Sequence, residues 1–174
     1  MTDVIPNEVF SQMVKTVGER LKPLGFSKRG TVFRIMGPDM CGLIEFQRSM
    51  GNTREQLRFT VNLGVVCGEL LELQSRSLEL SKARVIDAQI ELRIGQLLPD
   101  RDDKWWEITA DTDPDVLSME VTDMIVNLAV PYVRQYLDVN AIIALWESGQ
   151  SPGMTDRYRV ELLAALKAKR QGGA

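Results

Sequence analysis

Histidine is missing from this 174-residue chain altogether. That removes Ser-His and Cys-His nucleophile activation, the common zinc sites and the usual general base near neutral pH. An enzyme built on this sequence would have to work with carboxylates, Lys, Tyr, Arg or a bound metal. Cysteine is nearly absent too: Cys41 and Cys67 are the only two, too few for a disulfide framework or a cysteine-rich metal site. They are expected as buried free thiols. No unbroken apolar run approaches the roughly 20 residues a membrane helix needs. The opening MTDVIPNEVF has neither the basic nor the apolar region of a signal peptide. Together these predict a cytoplasmic protein. The glycines Gly18, Gly25 and Gly30 are too scattered for a phosphate loop, and no cofactor is expected.

Excess charge of either sign is also lacking. The net charge of −3 argues against nucleic acid as a partner. Its distribution is uneven. Residues 1–66 hold nine Lys/Arg against six Asp/Glu, residues 67–115 hold six against twelve, and the remainder balances at six each. A basic front half joined to an acidic middle suits self-complementary docking or a cationic partner; the plainer reading is solvated surface.

What the chain does have is alternation. Residues 56–66 (QLRFTVNLGVV) and 88–95 (AQIELRIG) alternate apolar and polar side chains, the signature of strands with two distinct faces. Leu57, Phe59, Val61, Leu63 and Val65 would share a core face with Ala88, Ile90, Leu92 and Ile94. Arg58, Thr60, Asn62, Glu91 and Arg93 would share the other. Residues 7–22 predict a helix with a Val9, Phe10, Met13, Val14, Val17 and Leu21 stripe, ended by Pro23. Residues 31–36 and 41–49 read as strands, the second forming a hairpin with 56–66. Placing Ile44 and Phe46 on the core face requires opposed residue numbers to sum to an odd number. Glu45 and Gln47 then join Arg58 on the polar face, and Arg48 falls at the sheet margin.

Residues 69–87 are rich in Leu, Glu, Lys and Arg and predict a helix. A strand at 88–96 and a fifth at 104–109 follow. Asp113-Pro114 is a helix start, opening the longest helix to about residue 137, kinked at Pro131. A short helix carries Ile142, Leu145 and Trp146. A last one, 155–169, presents Tyr158, Leu162 and Leu166 and ends in Lys167, Lys169 and Arg170, which suit the helix dipole. The Gly172–Ala174 tail should fray. The expected fold is α+β: an antiparallel sheet of about five strands, with an N-terminal helix and several C-terminal helices on one face. All 174 residues read as one domain, with about 138–174 as a C-terminal helical extension.

The chemistry-bearing groups are few. Asp111, Asp113 and Asp115 copy the first ligands of an EF-hand loop, but Val116 and Thr122 stand where Gly and Glu are required. Helix capping accounts for these acids. Asp100, Asp102 and Asp103 read as an acidic surface turn, so no metal site is expected. The best candidate site is the polar face: Arg58, Arg93, Glu45, Glu91, Gln47 and Asn62. Two arginines can grip a carboxylate or phosphate bidentately while the acids orient them. The plainer reading is a solvated face laced with ion pairs. Trp105 and Trp106 join the candidates, because adjacent strand side chains point to opposite faces and one indole should reach the polar side.

The succession LKPLGFSKRGTVF (21–33), IEFQRS (44–49), RFTVNLGV (58–65) and DKWW (103–106) resembles the bacterial family called domain of unknown function 4304, over roughly residues 9–135. The resemblance implies a small soluble bacterial domain of mixed α/β content. It brings no established activity, substrate or catalytic residues. The matching Gly25-Phe26, Gln47-Arg48-Ser49, Asn62-Leu63-Gly64 and Trp105-Trp106 look architectural. Residues after about 137 extend beyond the shared region.

Two functions follow as expectations. The first is a non-catalytic binding module using the polar sheet face, with a protein partner or a second copy preferred over a small molecule. The second is an enzyme acting on a small anionic metabolite through Arg58 and Arg93, with Glu45 or Glu91 as base. A flat or partner-covered face would favour the binder; a concave, helix-rimmed polar face with a strongly shifted carboxylate pKa would favour the enzyme.

Overall fold

The apolar stripe of the first helix folds as expected, as α1 (Pro6–Leu21), in the computed structural model of the protein, which describes residues 4–173. The first three residues of the opening stretch, and Ala174 of the tail, lie outside those residues. Phe10, Met13, Val14, Val17 and Leu21 are buried; Val9 lies at the margin. Among the described residues six strands follow: β1 (Ser27–Arg29), β2 (Val32–Gly37), β3 (Met40–Arg48), β4 (Leu57–Cys67), β5 (Ile90–Arg93) and β6 (Trp106–Ile108). All pairings are antiparallel, in the order β1-β2-β3-β4-β5, with β6 also against β4. β5 and β6 thus share one edge of β4, end to end: β5 covers 62–65 and β6 covers 57–59.

The β3–β4 register opposes Ile44 to Leu63 and Glu45 to Asn62, the odd-sum pairing. Leu57, Phe59, Val61, Leu63 and Val65 are fully buried on the inner face. Phe59 stacks on Trp106 at 5.4 Å between ring centroids and meets Phe10 edge-on at 5.3 Å. Arg48, opposite Phe59, reaches the exposed sheet margin as its parity demands, where its guanidinium donates to the Asn7 side chain and lies over Phe10. Cys41 and Cys67 are both free and buried. They sit on adjacent strands but in separate apolar clusters on opposite faces, so they do not bridge. Burial pushes the Cys41 thiol up to about 11 and also raises Cys67, which leaves both protonated and unreactive at neutral pH.

The remaining helices are α2 (Gly68–Leu73), α3 (Pro114–Met124), α4 (Val130–Gln135), α5 (Val139–Glu147) and α6 (Asp156–Gly172). Asp113 caps α3 by accepting from the Asp115 and Val116 amides at 2.9 and 3.1 Å. A π-helical segment, Ile125–Ala129, joins α3 to α4 just ahead of Pro131. A proline cannot donate to the preceding turn, and the wider π turn accommodates that loss. The run Pro114–Gln135 is long and apolar enough to cross a membrane by length and composition alone. Here Val121, Ile125, Ala129, Val130 and Val133 pack into the protein core. Ile142, Leu145 and Trp146 of α5 and Leu162 and Leu166 of α6 join the same core. The basic end of α6 also pairs across to other helices: Lys167 with Glu147, Lys169 with Glu72, and Arg170 with Glu69.

Three expectations are corrected. Residues 69–87 are not one helix. α2 stops at Leu73 because Ser75 turns left-handed (φ 54°), with the Ser75 amide on Glu72 O and the Arg76 amide on Leu71 O, a Schellman end. The following chain runs through two 3₁₀ turns, Leu80–Lys82 and Val85–Asp87. The strand at 88–96 shortens to β5, with a 3₁₀ turn at Ile94–Leu97, and Ala88 packs on the outer side of the sheet instead of the inner. Finally, the outer face is not left open. Residues 74–89 cover one end of it, burying Val32, Cys41, Leu43 and Val66 beneath Ala83 and Val85. Gly64 permits this close approach, since a Cβ there would fall 2.9 Å from that of Ala88. The outer face therefore has a dry end and an open end.

Candidate functional site

Parity puts Glu45, Gln47, Arg58, Asn62, Glu91 and Arg93 on the outer face, as expected, and the cover at 74–89 then divides them. Glu45 goes to the dry end. It is 8% exposed, pairs with Arg84 and accepts the Val85 amide at 3.0 Å. Its two oxygens hold the covering segment in place, one on Arg84 and one on the Val85 amide. Beside it, buried Arg34 donates its Nε to Ala83 O at 2.8 Å in the same manner. Thr60 is likewise closed off, donating to Lys104 O at 2.7 Å.

At the open end the tryptophans separate, Trp105 lying just ahead of β6 and Trp106 opening it. Trp106 enters the core and donates its indole N–H to Glu120 at 2.9 Å, away from the polar face. Trp105 stays on the outer side. The guanidinium carbons of Arg58 and Arg93 lie over its ring, 5.6 and 5.2 Å from the centroid. One oxygen of Asp103 accepts both the Trp105 indole N–H, at 2.9 Å, and Arg93 Nη1, at 2.5 Å. Charge-assisted and cation–π contacts thus fix Arg93 before any ligand arrives. Arg58 stacks but has no ion-pair partner among the described residues, although Glu107 stands opposite it in the register.

Arg93 opens onto a groove of about 840 Å³ that runs over the β5 edge. Gln47, Asn62, Glu91 and Arg93 line it from the sheet, Arg101 from the following loop, and Tyr132 and Tyr136 from the helices. Such a volume lies within the range of small-molecule sites. Asn62 Nδ2 donates to Gln47 Oε1 at 2.7 Å, which leaves an amide donor on Gln47 and an acceptor on Asn62 available. The far wall is the 148–154 loop. Its Pro152 carbonyl accepts the Glu91 amide at 3.1 Å, and Gln96 Oε1 accepts the Arg93 amide at 3.2 Å. These two contacts close the sheet edge against another strand. Gly153 has φ 83°, and a Cβ there would fall 2.7 Å from that of Glu91, so only glycine fits.

Burial pushes the Glu91 carboxyl above its usual range; the Glu45 charge adds to the rise and Arg93 opposes it. No side chain among the described residues pairs with that carboxylate. No group of three or more Cys, Asp or Glu converges as a metal-ligand set among the described residues. Of the eight predicted site residues, four line the groove, Arg58 and Trp105 flank it, and Glu45 and Trp106 serve the fold. Sequence reading missed Arg101, Asp103, Tyr132, Tyr136 and the 148–154 loop. The i,i+4 spacing of the tyrosines, whose rings lie 4.9 Å apart, was the one available signal.

The order of motifs seen in the sequence corresponds to a family match. The family described as Domain of unknown function (DUF4304) matches residues 17–135, opening at 17 where the motif resemblance begins at 9. The match covers most of the chain, and the protein belongs to this family. No curated protein and no solved structure matches the chain. The match takes in the sheet, Arg58, Arg93 and Trp105; the groove wall contributed by α5 and the 148–154 loop lies beyond it.

Proposed function

We propose that this protein is a non-catalytic binding module whose ligand sits in the groove over β5. The observation that carries the reading is Arg93, fixed by Asp103 and Trp105 and opening onto a groove with free amide and carboxylate groups. Rigid, pre-paid side-chain geometry on a strand is what selective binding needs. The groove's volume turns the preference from a protein partner, which the sequence favours, to a small ligand. In this reading the 174 residues form one cytoplasmic domain, with 138–174 an extension that completes the groove. It involves no cofactor, nucleic acid or membrane.

Glu91 favours a second reading. A carboxyl with a raised pKa in a concave site is a general-base candidate. The protein would then be an enzyme acting on a small anionic metabolite, with Arg93 as clamp and Glu91 as base. Arg58 flanks the groove and Glu45 is committed to Arg84, so neither takes the part first assigned to it.

A metabolite thermal-shift screen on wild type and Arg93→Met separates these. A ligand at 100 times its Kd stabilises the fold by about 2.7 kcal/mol. The binding reading expects compounds that raise the wild-type Tm, lose that effect in the variant and are recovered intact. Consumption of the compound would instead support the enzyme. No stabilising compound, or shifts equal in both proteins, would overturn both.

A further inference from the structure

Two opposite charges line the groove without meeting. Glu91 is half-buried, and its carboxylate has no hydrogen-bond or ion-pair partner among the described residues. Arg101 lines the same groove, and its guanidinium has no partner among the described residues either. Arg93 spends Nη1 on Asp103 and keeps its other donors. Two opposite charges that face one cavity without pairing to each other or to a neighbour leave a gap that a ligand carrying both charges fits. Glu91 and Arg93 point to the same side of β5, two residues apart, or about 7 Å along the strand.

We propose, resting on the binding reading above, that the groove takes a small zwitterion of amino-acid or dipeptide size, its ammonium group at Glu91 and its carboxylate at Arg101 and Arg93. Two charge-assisted hydrogen bonds of about 2.8 Å, plus the ligand's own length, bridge such a gap. Gln47 and Asn62 offer one further donor and one acceptor for an amide or a polar side chain. Leu92, Tyr132 and Leu145 form an apolar wall for the remainder. An ammonium group at Glu91 would also compensate the burial that raises its pKa, so binding should weaken as pH falls through the carboxylate range.

The test is calorimetric titration of the full chain with the twenty L-amino acids and a set of dipeptides. For each binder, the matching amine without a carboxylate and the matching acid without an amine are titrated as well. The proposal expects a saturable zwitterion, with each truncated analogue at least tenfold weaker. It also expects Glu91→Gln to weaken the zwitterion and amine but not the acid, and Arg101→Gln to weaken the zwitterion and acid but not the amine. Arg101 is exposed, so that variant should fold, and circular dichroism checks both. No binding at millimolar zwitterion, or affinity unchanged in both variants, would overturn the proposal. An acid or amine that binds as well as the zwitterion and is lost in Arg93→Met overturns the zwitterion while leaving the binding module standing.

Discussion

Glu45 and Glu91 project from the same outer face of one sheet, the first at the end covered by residues 74–89 and the second at the open end beside the groove. Glu45 is buried and fully engaged: Arg84 neutralises it and the Val85 amide donates to it. Glu91 is half-buried and its side chain has no partner among the described residues, and burial pushes its carboxyl up. A buried charge without a partner costs free energy that a fold alone has no reason to retain. Where partners are supplied, the carboxylate builds structure. Where they are withheld, it is kept for something that arrives from outside.

The inner face sets the scale for this comparison. Phe59 is fully buried between Phe10, Phe46 and Trp106, and Phe59→Ala should cost about 3–5 kcal/mol in urea denaturation. A loss below about 1 kcal/mol would mean that the inner and outer faces are exchanged. At the dry end, Glu45→Ala strands the buried Val85 amide and frees Arg84, and should cost about 1–3 kcal/mol. Faster amide exchange across 83–88 should accompany it, because that carboxylate ties the covering segment to β3. An unaffected segment would erase the distinction between the two ends.

The sequence makes the inner face legible because a period of two has a single meaning once one hydrophobic face must be buried. Register followed from the same constraint, and so did the division of Trp105 from Trp106. The dry end was not legible. Leu71, Leu78 and Leu80 lie in a stretch whose composition favours helix, and only the left-handed turn at Ser75 releases the chain to lie over Leu43 and Val66. Serine carries no signal for that turn. The groove was half legible. Gln47, Asn62, Glu91 and Arg93 come from strands whose parity can be read, whereas Arg101 and the 148–154 loop arrive from distant positions by tertiary folding.

The most direct test of the contrast is the stability of Glu91→Gln against wild type, without ligand, from acid to neutral pH. Folding raises the Glu91 pKa, so the folded chain holds that proton to higher pH than the unfolded chain does. Wild-type stability from this group is therefore present below the unfolded-state pKa and is lost as pH rises through the raised one. Glutamine does not ionise and escapes the loss. The two proteins should be equally stable in acid, and the variant should become the more stable as pH rises to neutrality. A variant less stable than wild type by more than about 1 kcal/mol at neutral pH, the size of an ordinary lost hydrogen bond, would contradict the account and make Glu91 a structural residue like Glu45.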